Sequence, residues 1–118
     1  GVTPVPQKAI GKYNVDLAVA PVAVEVLGGG WHLAKRHHAV RTPYILDQGW
    51  ALLFVWNHEG DSALTQRAAE YVIAYLDEAR RDPSLVGQYR VISGSGELLA
   101  RGRREDSKFP LVPPPRRR

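Results

Sequence analysis

The seven residues at 50–56 constrain the fold of this chain more than any other segment: they are Trp-Ala-Leu-Leu-Phe-Val-Trp, without one polar residue. The run has the length of a strand rather than a helix. An unbroken apolar pattern, in place of alternation, is typical of a strand buried on both faces. Such a strand lies inside a sheet with other elements packed above and below it. The sequence therefore predicts a layered α/β or α+β domain.

Alternating patterns predict two further strands before this run, at Tyr13–Val19 and 22–27. Only an Ala-Pro pair separates them, so we expect an antiparallel hairpin with a tight turn. Residues 1–11 contain two prolines, which block an early helix, and this segment is predicted to be irregular.

Caps and turns mark the elements that follow. Thr42 and the proline after it are typical of a helix start, and Ser62 can cap a longer helix. A Gly-Ser-Gly turn near residue 95 predicts a closing hairpin. The predicted elements are helices at 43–48 and 62–81 and strands at Gln88–Ser93 and 97–101. The predicted order is β-β-α-β-α-β-β, which implies a mixed sheet flanked by helices.

Composition excludes several classes of protein. The 118 residues suit one domain, and the lack of cysteine excludes a disulfide framework, a cysteine nucleophile and a cysteine-based zinc site. No apolar run approaches the roughly 20 residues that a membrane span needs. We see no signal-peptide pattern and therefore expect a soluble, cytoplasmic protein without a membrane partner. The net charge of +4 and pI of about 9.7 suggest an anionic partner such as nucleic acid.

That positive charge is concentrated at one end of the chain. Residues 101–118 carry seven basic and two acidic side chains, whereas the remaining residues carry nine basic and ten acidic ones. The basic end is also rich in proline, so the sequence predicts a single domain over 1–101 and a flexible tail over 102–118. This tail, which includes Arg103 and Arg104, either contacts phosphates as an arm or only keeps the chain soluble.

Two acidic residues lie within the predicted hairpin, each between apolar neighbours. Pairing through the Ala-Pro turn places Asp16 opposite Glu25 on the neighbouring strand. Two carboxylates so placed repel each other, and a divalent cation such as Mg²⁺, which prefers hard oxygen ligands, would remove that repulsion. The alternative is that both side chains line the wet face of an edge hairpin.

Three histidines follow a glycine run after this hairpin. Histidine is a natural general base near neutral pH, and His32 comes directly after the glycines, so it is the best candidate to activate a water. His37 and His38 follow shortly after. The alternative for each of the three histidines is a surface or packing position without a catalytic role. Trp31 is either a lid over the site or a wedge against bases.

Five segments, taken in order, resemble a known family. They are residues 7–16 (QKAIGKYNVD), 22–26 (VAVEV), 30–32 (GWH), Arg41 and 49–57 (GWALLFVWN). The series resembles the very-short-patch repair endonuclease-like branch of the PD-(D/E)XK nucleases, which includes phage homing endonucleases. The resemblance covers under half of the chain. It implies a restriction-endonuclease-like fold and a phage or mobile-element association.

The resemblance also implies an activity and residue roles. It implies Mg²⁺-dependent hydrolysis of DNA, by nicking or by cutting both strands, with Mn²⁺ as a substitute ion. Asp16 matches the central metal-binding aspartate, and Glu25 matches the second-strand acid. His32 matches the water-activating histidine, and His37 or His38 falls near a further acidic or histidine position. Gln7 and Lys12 match positions that border the site.

Two features depart from the family pattern. The usual lysine two residues after the second acid is absent, since Leu27 follows Glu25 there, although the repair branch also lacks it. No counterpart of the family's N-terminal helix with its glutamate fits before Gln7. Three explanations stay open: the chain is a fragment of a longer protein, a homodimer partner or a second chain supplies that helix, or the activity is weakened. The alternative is a catalytically weak or inactive nucleic-acid-binding subunit that retains the nuclease fold.

Overall fold

Six strands and two α-helices form the computed structural model, which describes residues 5–10, 13–28, 38–57 and 65–107. The elements are β1 (Val5–Ile10), β2 (Tyr13–Val19), β3 (Val22–Gly28), α1 (His38–Asp47), β4 (Ala51–Asn57), α2 (Gln66–Arg81), β5 (Gln88–Ser93) and β6 (Leu98–Arg103). The strands form one mixed sheet in chain order, with β3, β4 and β5 mutually parallel and the remaining neighbours antiparallel. The predicted mixed sheet with flanking helices is confirmed.

The fully apolar strand β4 lies inside this sheet, as predicted. Residues 51–55 are all buried, because α1 covers one face of the sheet and α2 covers the other. Leu52 and Phe54 pack on the α1 side, and Leu53 and Val55 pack on the α2 side. Burying side chains of this size stabilises a fold by about 1.5–3 kcal/mol each.

The first strand corrects the sequence prediction. Residues 5–10 were predicted to be irregular, but β1 pairs with β2 along its length. β1 is the outermost strand on its side of the described sheet. A proline such as Pro6 is tolerated in an edge strand, because the outer edge forms no backbone hydrogen bonds with another strand and the missing N–H is not needed there. The predicted order therefore lacks one strand.

Both helices begin at a different residue from the one predicted. α1 begins at His38 rather than at residue 43, and Pro43 lies inside it. Packing of the following Ile45 and Leu46 in the core outweighs the backbone hydrogen bond that the proline removes. α2 has Thr65 as its N-cap, and the Thr65 side chain accepts from the Ala68 N–H at 3.1 Å. The predicted cap at Ser62 lies outside the described residues.

Structure continues beyond the predicted start of the tail. β6 extends to Arg103, a 3₁₀ turn follows at Arg104–Asp106, and Ser107 is buried. The Tyr89 hydroxyl donates to the Asp106 carbonyl oxygen at 3.0 Å, which fastens this segment to β5. The domain described here therefore reaches residue 107. No helix of the described part of the chain is long and apolar enough to cross a membrane.

Candidate functional site

Glu25 is the one charged residue in the buried class among the described residues. It lies within β3, directly opposite Phe54 of the parallel strand β4, and is only 4% exposed. Its chain neighbours Val24 and Val26 belong to or pack against the apolar core. Burial of a carboxylate is unfavourable unless it is paired and hydrogen-bonded, so the surroundings of this side chain require an explanation.

Arg41 of α1 supplies the opposite charge. Its Nη1 and Nη2 atoms donate to Oε2 and Oε1 of Glu25, respectively, so the guanidinium binds both carboxylate oxygens. The two side chains are 15% and 6% exposed. Burial raises the pKa of Glu25, the hydrogen bonds and charge of Arg41 oppose this rise, and the charge of Asp16 adds to it. The net direction is upward from the ordinary value of 4.5.

Asp16 lies beside this ion pair. β2 and β3 pair in the predicted register, with Leu17 opposite Val24, and this register places Asp16 next to Glu25. The backbone pairing stops at Leu17, and the Val26 N–H donates instead to Oδ2 of Asp16 at 2.7 Å. The Asp16 carboxylate is therefore held in a fixed orientation, and its charge acts on that of Glu25.

Two further predicted site residues, Gln7 and His38, lie within the described backbone. β1 and β2 pair with Pro6 opposite Leu17 and with Lys8 opposite Val15, so Gln7 lies at the position opposite Asp16. His38 is the first residue of α1, three positions before Arg41. Four other predicted residues lie outside the described residues: Lys12, Trp31, His32 and His37.

The two tail arginines lie elsewhere. Arg103 is opposite Gln88 at the end of β6, and Nε of Arg104 donates to Oδ1 of Asp47 at 2.7 Å. Two strands separate β6 from β3, so about 14 Å of sheet lies between the strand of Glu25 and that of Arg103. Both arginines border a separate polar cavity of about 280 Å³. The structure does not bring them together with Asp16 and Glu25.

Asp16 and Glu25 carry the type of ligand atom that a divalent cation prefers. Mg²⁺ is commonly bound by one or two carboxylates, with waters completing its coordination. Asp16 and Glu25 supply such oxygens side by side, and the Arg41 guanidinium shows that the cluster accommodates a positive charge. No group of three or more acidic, histidine or cysteine side chains converges within the described ranges. Within these ranges, a divalent ion at this place would therefore have only the two carboxylates and water as ligands.

Sequence reasoning placed Arg41 within the family resemblance but assigned it no role. Its contact with Glu25 spans 16 positions of sequence. An acidic residue between apolar residues of a predicted strand indicates that a positively charged partner is needed. The chain contains sixteen lysines and arginines, and the sequence alone does not show which of them is the partner. Only the packing of α1 against the sheet identifies the partner.

The fold and site define an α+β domain with a six-stranded mixed sheet and a cluster of two acids and one arginine, in which Glu25 is buried and the other two are partly buried. No family model and no solved structure matches the chain. The chain is similar to the uncharacterized protein YcjD of Escherichia coli (strain K12), with 36% identity over 80 residues. The match covers 66% of this chain and 66% of that protein, so about a third of the relative's length lies outside it.

Proposed function

We propose that the protein is a Mg²⁺-dependent DNA endonuclease or nickase in which Asp16 and Glu25 hold the ion. The observation that supports this proposal best is the juxtaposed pair of carboxylates, one of them almost fully buried in the sheet. A buried ion pair is often no more stabilising than apolar residues of the same size. Ionisable groups retained at such a position are therefore candidates for a functional site.

Each residue has a distinct part in the proposed reaction. Asp16 is oriented by the Val26 N–H, and Glu25 is oriented by its position between packed strands. A divalent ion held by Asp16 and Glu25 would supply positive charge to the phosphate and would lower the pKa of a water molecule. His32 is proposed to accept the proton from that water, with His38 as a further candidate near the start of α1.

The DNA would contact residues around this pair. Gln7, Lys12, Trp31 and His37 are proposed to bind substrate, on the basis of the family resemblance. Arg103 and Arg104 would contact backbone phosphates farther along the sheet. On the same resemblance we also propose a homodimer or a second chain as partner, a cytoplasmic location, and a phage or mobile-element origin.

One observation favours a second candidate function. Arg41 engages both oxygens of Glu25, which is the arrangement expected if the pair has become purely structural. In that case the protein binds nucleic acid, or acts as a subunit of a complex, without catalysis. The two candidates differ in whether the pair takes part in cleavage.

A plasmid assay separates these candidates. Supercoiled plasmid is incubated with the protein and Mg²⁺ or Mn²⁺, using wild type, Asp16→Asn and Glu25→Gln. Asp77→Asn, which removes an exposed acid of α2, is the matched control. The nuclease proposal predicts nicked or linear product with wild type and the control, and at least about a hundredfold less with the two site variants. Equal cleavage by all four proteins would show that the site is wrong. Binding of DNA without cleavage by wild type would favour the second candidate.

A further inference from the structure

We propose that Arg41 is an internal counter-ion for the Asp16–Glu25 pair, and that a divalent cation binds only by displacing the guanidinium from Glu25. The inference rests on the proposed function, because it concerns the same cation site. It adds a regulating residue that the resemblance does not assign. It also explains why an arginine and a metal-binding acid occupy the same place.

The contact geometry makes the two cations competitors. The guanidinium nitrogens donate to both Glu25 oxygens at once. A Mg²⁺ ion coordinated by the same carboxylate lies about 2.1 Å from a ligand oxygen. An ion at that distance would stand within a few ångströms of the guanidinium, and like charges so close repel strongly where water is largely excluded. Simultaneous binding of both is therefore unfavourable.

The charge balance shows why a counter-ion is needed and why it can be exchanged. Without Arg41, the buried Glu25 carboxylate would lie near the Asp16 charge with no counter-ion among its described contacts, which is costly. With Arg41 the cluster of three groups still has a formal charge of −1, so it continues to attract a cation. A divalent ion supplies one more positive charge than the guanidinium and can compensate both acids.

The position of Arg41 allows such an exchange without unfolding. Its side chain is 15% exposed, so part of it already reaches solvent, whereas the Glu25 side chain is more deeply buried. A long arginine side chain can turn its charged end to water while its aliphatic part stays on apolar surface. The displacement is proposed to occur by a change of the Arg41 side-chain rotamer, in which the guanidinium exchanges its present contacts for water.

Metal binding by the full chain tests this competition. Mn²⁺ affinity is measured by electron paramagnetic resonance for wild type, Arg41→Gln and Glu25→Gln. Arg90→Gln is the matched control because it also removes an arginine from an Arg–Glu pair: Nη2 of Arg90 donates to Oε2 of Glu78 at 2.7 Å. We expect Arg41→Gln to bind Mn²⁺ at least about tenfold more tightly than wild type. Arg90→Gln should bind like wild type, and Glu25→Gln should lose binding.

The outcomes separate this inference from the proposed function. Binding that requires Glu25 but is unchanged or weaker in Arg41→Gln would overturn the competition and leave the proposed cation site intact. Lack of binding by wild type and by Arg41→Gln alike would overturn both. A measurement on wild type covers the case in which Arg41→Gln fails to fold. The Arg41 Nε–Hε signal, followed by nuclear magnetic resonance, should move to the position of an exposed arginine as Mg²⁺ is added. An unchanged signal at saturating Mg²⁺ would refute the displacement.

Discussion

The buried Glu25–Arg41 pair allows a sharp prediction about stability. We consider Arg41→Met, Glu25→Leu and the double variant, each compared with wild type by urea unfolding at pH 7.5 and followed by tryptophan fluorescence. Trp50 and Trp56 pack against the core cluster on the α1 side and report on its unfolding. If the pair is retained for function rather than stability, the single variants should be destabilised and the double variant should not.

The magnitudes follow from burial. Arg41→Met leaves an unpaired carboxylate that is 4% exposed, and removing one partner of a buried pair typically costs about 3–5 kcal/mol. Glu25→Leu should cost less, because the partly exposed arginine can turn toward water. The double variant replaces both charges by apolar groups and should have a free energy of unfolding within about 1 kcal/mol of wild type, or above it.

The pH dependence provides a second check on Arg41→Met. Burial raises the pKa of Glu25 from 4.5 even with the arginine present, and the pKa should rise further when the arginine is removed. The folded state then binds the proton more tightly than the unfolded state does. The destabilisation should therefore be complete above the folded-state pKa and should diminish as the pH falls toward 4.5.

Two results would refute this reasoning. A loss below about 1 kcal/mol in Arg41→Met would mean that the carboxylate is not effectively buried. A double variant destabilised by the sum of the two single losses would mean that the two side chains have no energetic coupling, and the argument from their buried pairing would fail.

Three further perturbations test other parts of the structure. The Tyr75 hydroxyl is buried without a partner among the described residues, so Tyr75→Phe should raise the free energy of unfolding by about 1 kcal/mol. Burial raises the pKa of Tyr75 to about 12, while the unfolded state stays near 10. Wild type should therefore lose up to about 3 kcal/mol between pH 10 and 12, and Tyr75→Phe should lack this loss in urea titrations at each pH. A Cβ on Gly102 would lie 2.8 Å from the Tyr89 hydroxyl oxygen, so Gly102→Ala should cost about 1–3 kcal/mol by the same measurement, and a neutral result would contradict the packing of this segment. Deletion of 108–118 removes four basic side chains and should weaken DNA binding. The slope of log affinity against log salt concentration should become shallower by about 0.9 for each phosphate that the tail neutralises. An unchanged slope would show that the tail neutralises no phosphate.

The deletion boundary itself follows from the structure rather than from the sequence. Charge and proline increase from residue 102, which is why the tail was predicted to begin there. The Tyr89–Asp106 and Arg104–Asp47 contacts join residues 102–107 to the domain. Removal from residue 102 would therefore disturb β6 and α1, and a deletion that begins at 108 is the appropriate test of the tail alone.

Features governed by local pattern were predictable from the sequence. The burial of residues 51–55, the strand Gln88–Ser93 and the register of the β2–β3 hairpin follow from hydrophobic periodicity and from the length of the turn. Extending that register by one residue predicts Asp16 opposite Glu25; the backbone pairing ends at Leu17, and the Asp16 side chain is instead held by the Val26 N–H. Information of this kind lies within a few neighbouring residues.

Features governed by distant contacts were not predictable. β1 forms because its backbone pairs with the neighbouring strand β2, although the sequence of β1 contains a proline. α1 continues through Pro43 because its other residues pack on the sheet. The contact of Arg41 with Glu25 depends on how that helix packs on the sheet, and no local pattern encodes this arrangement.

The central claim is that Asp16 and Glu25 together form a divalent-cation site. Isothermal titration of the full chain with Mn²⁺ tests it most directly, with Asp16→Asn and Glu25→Gln as variants and Asp77→Asn as the control. The account predicts one ion bound per chain in wild type and in the control, and loss of that ion in both site variants. Binding that persists in Asp16→Asn, or its absence from wild type, would contradict it.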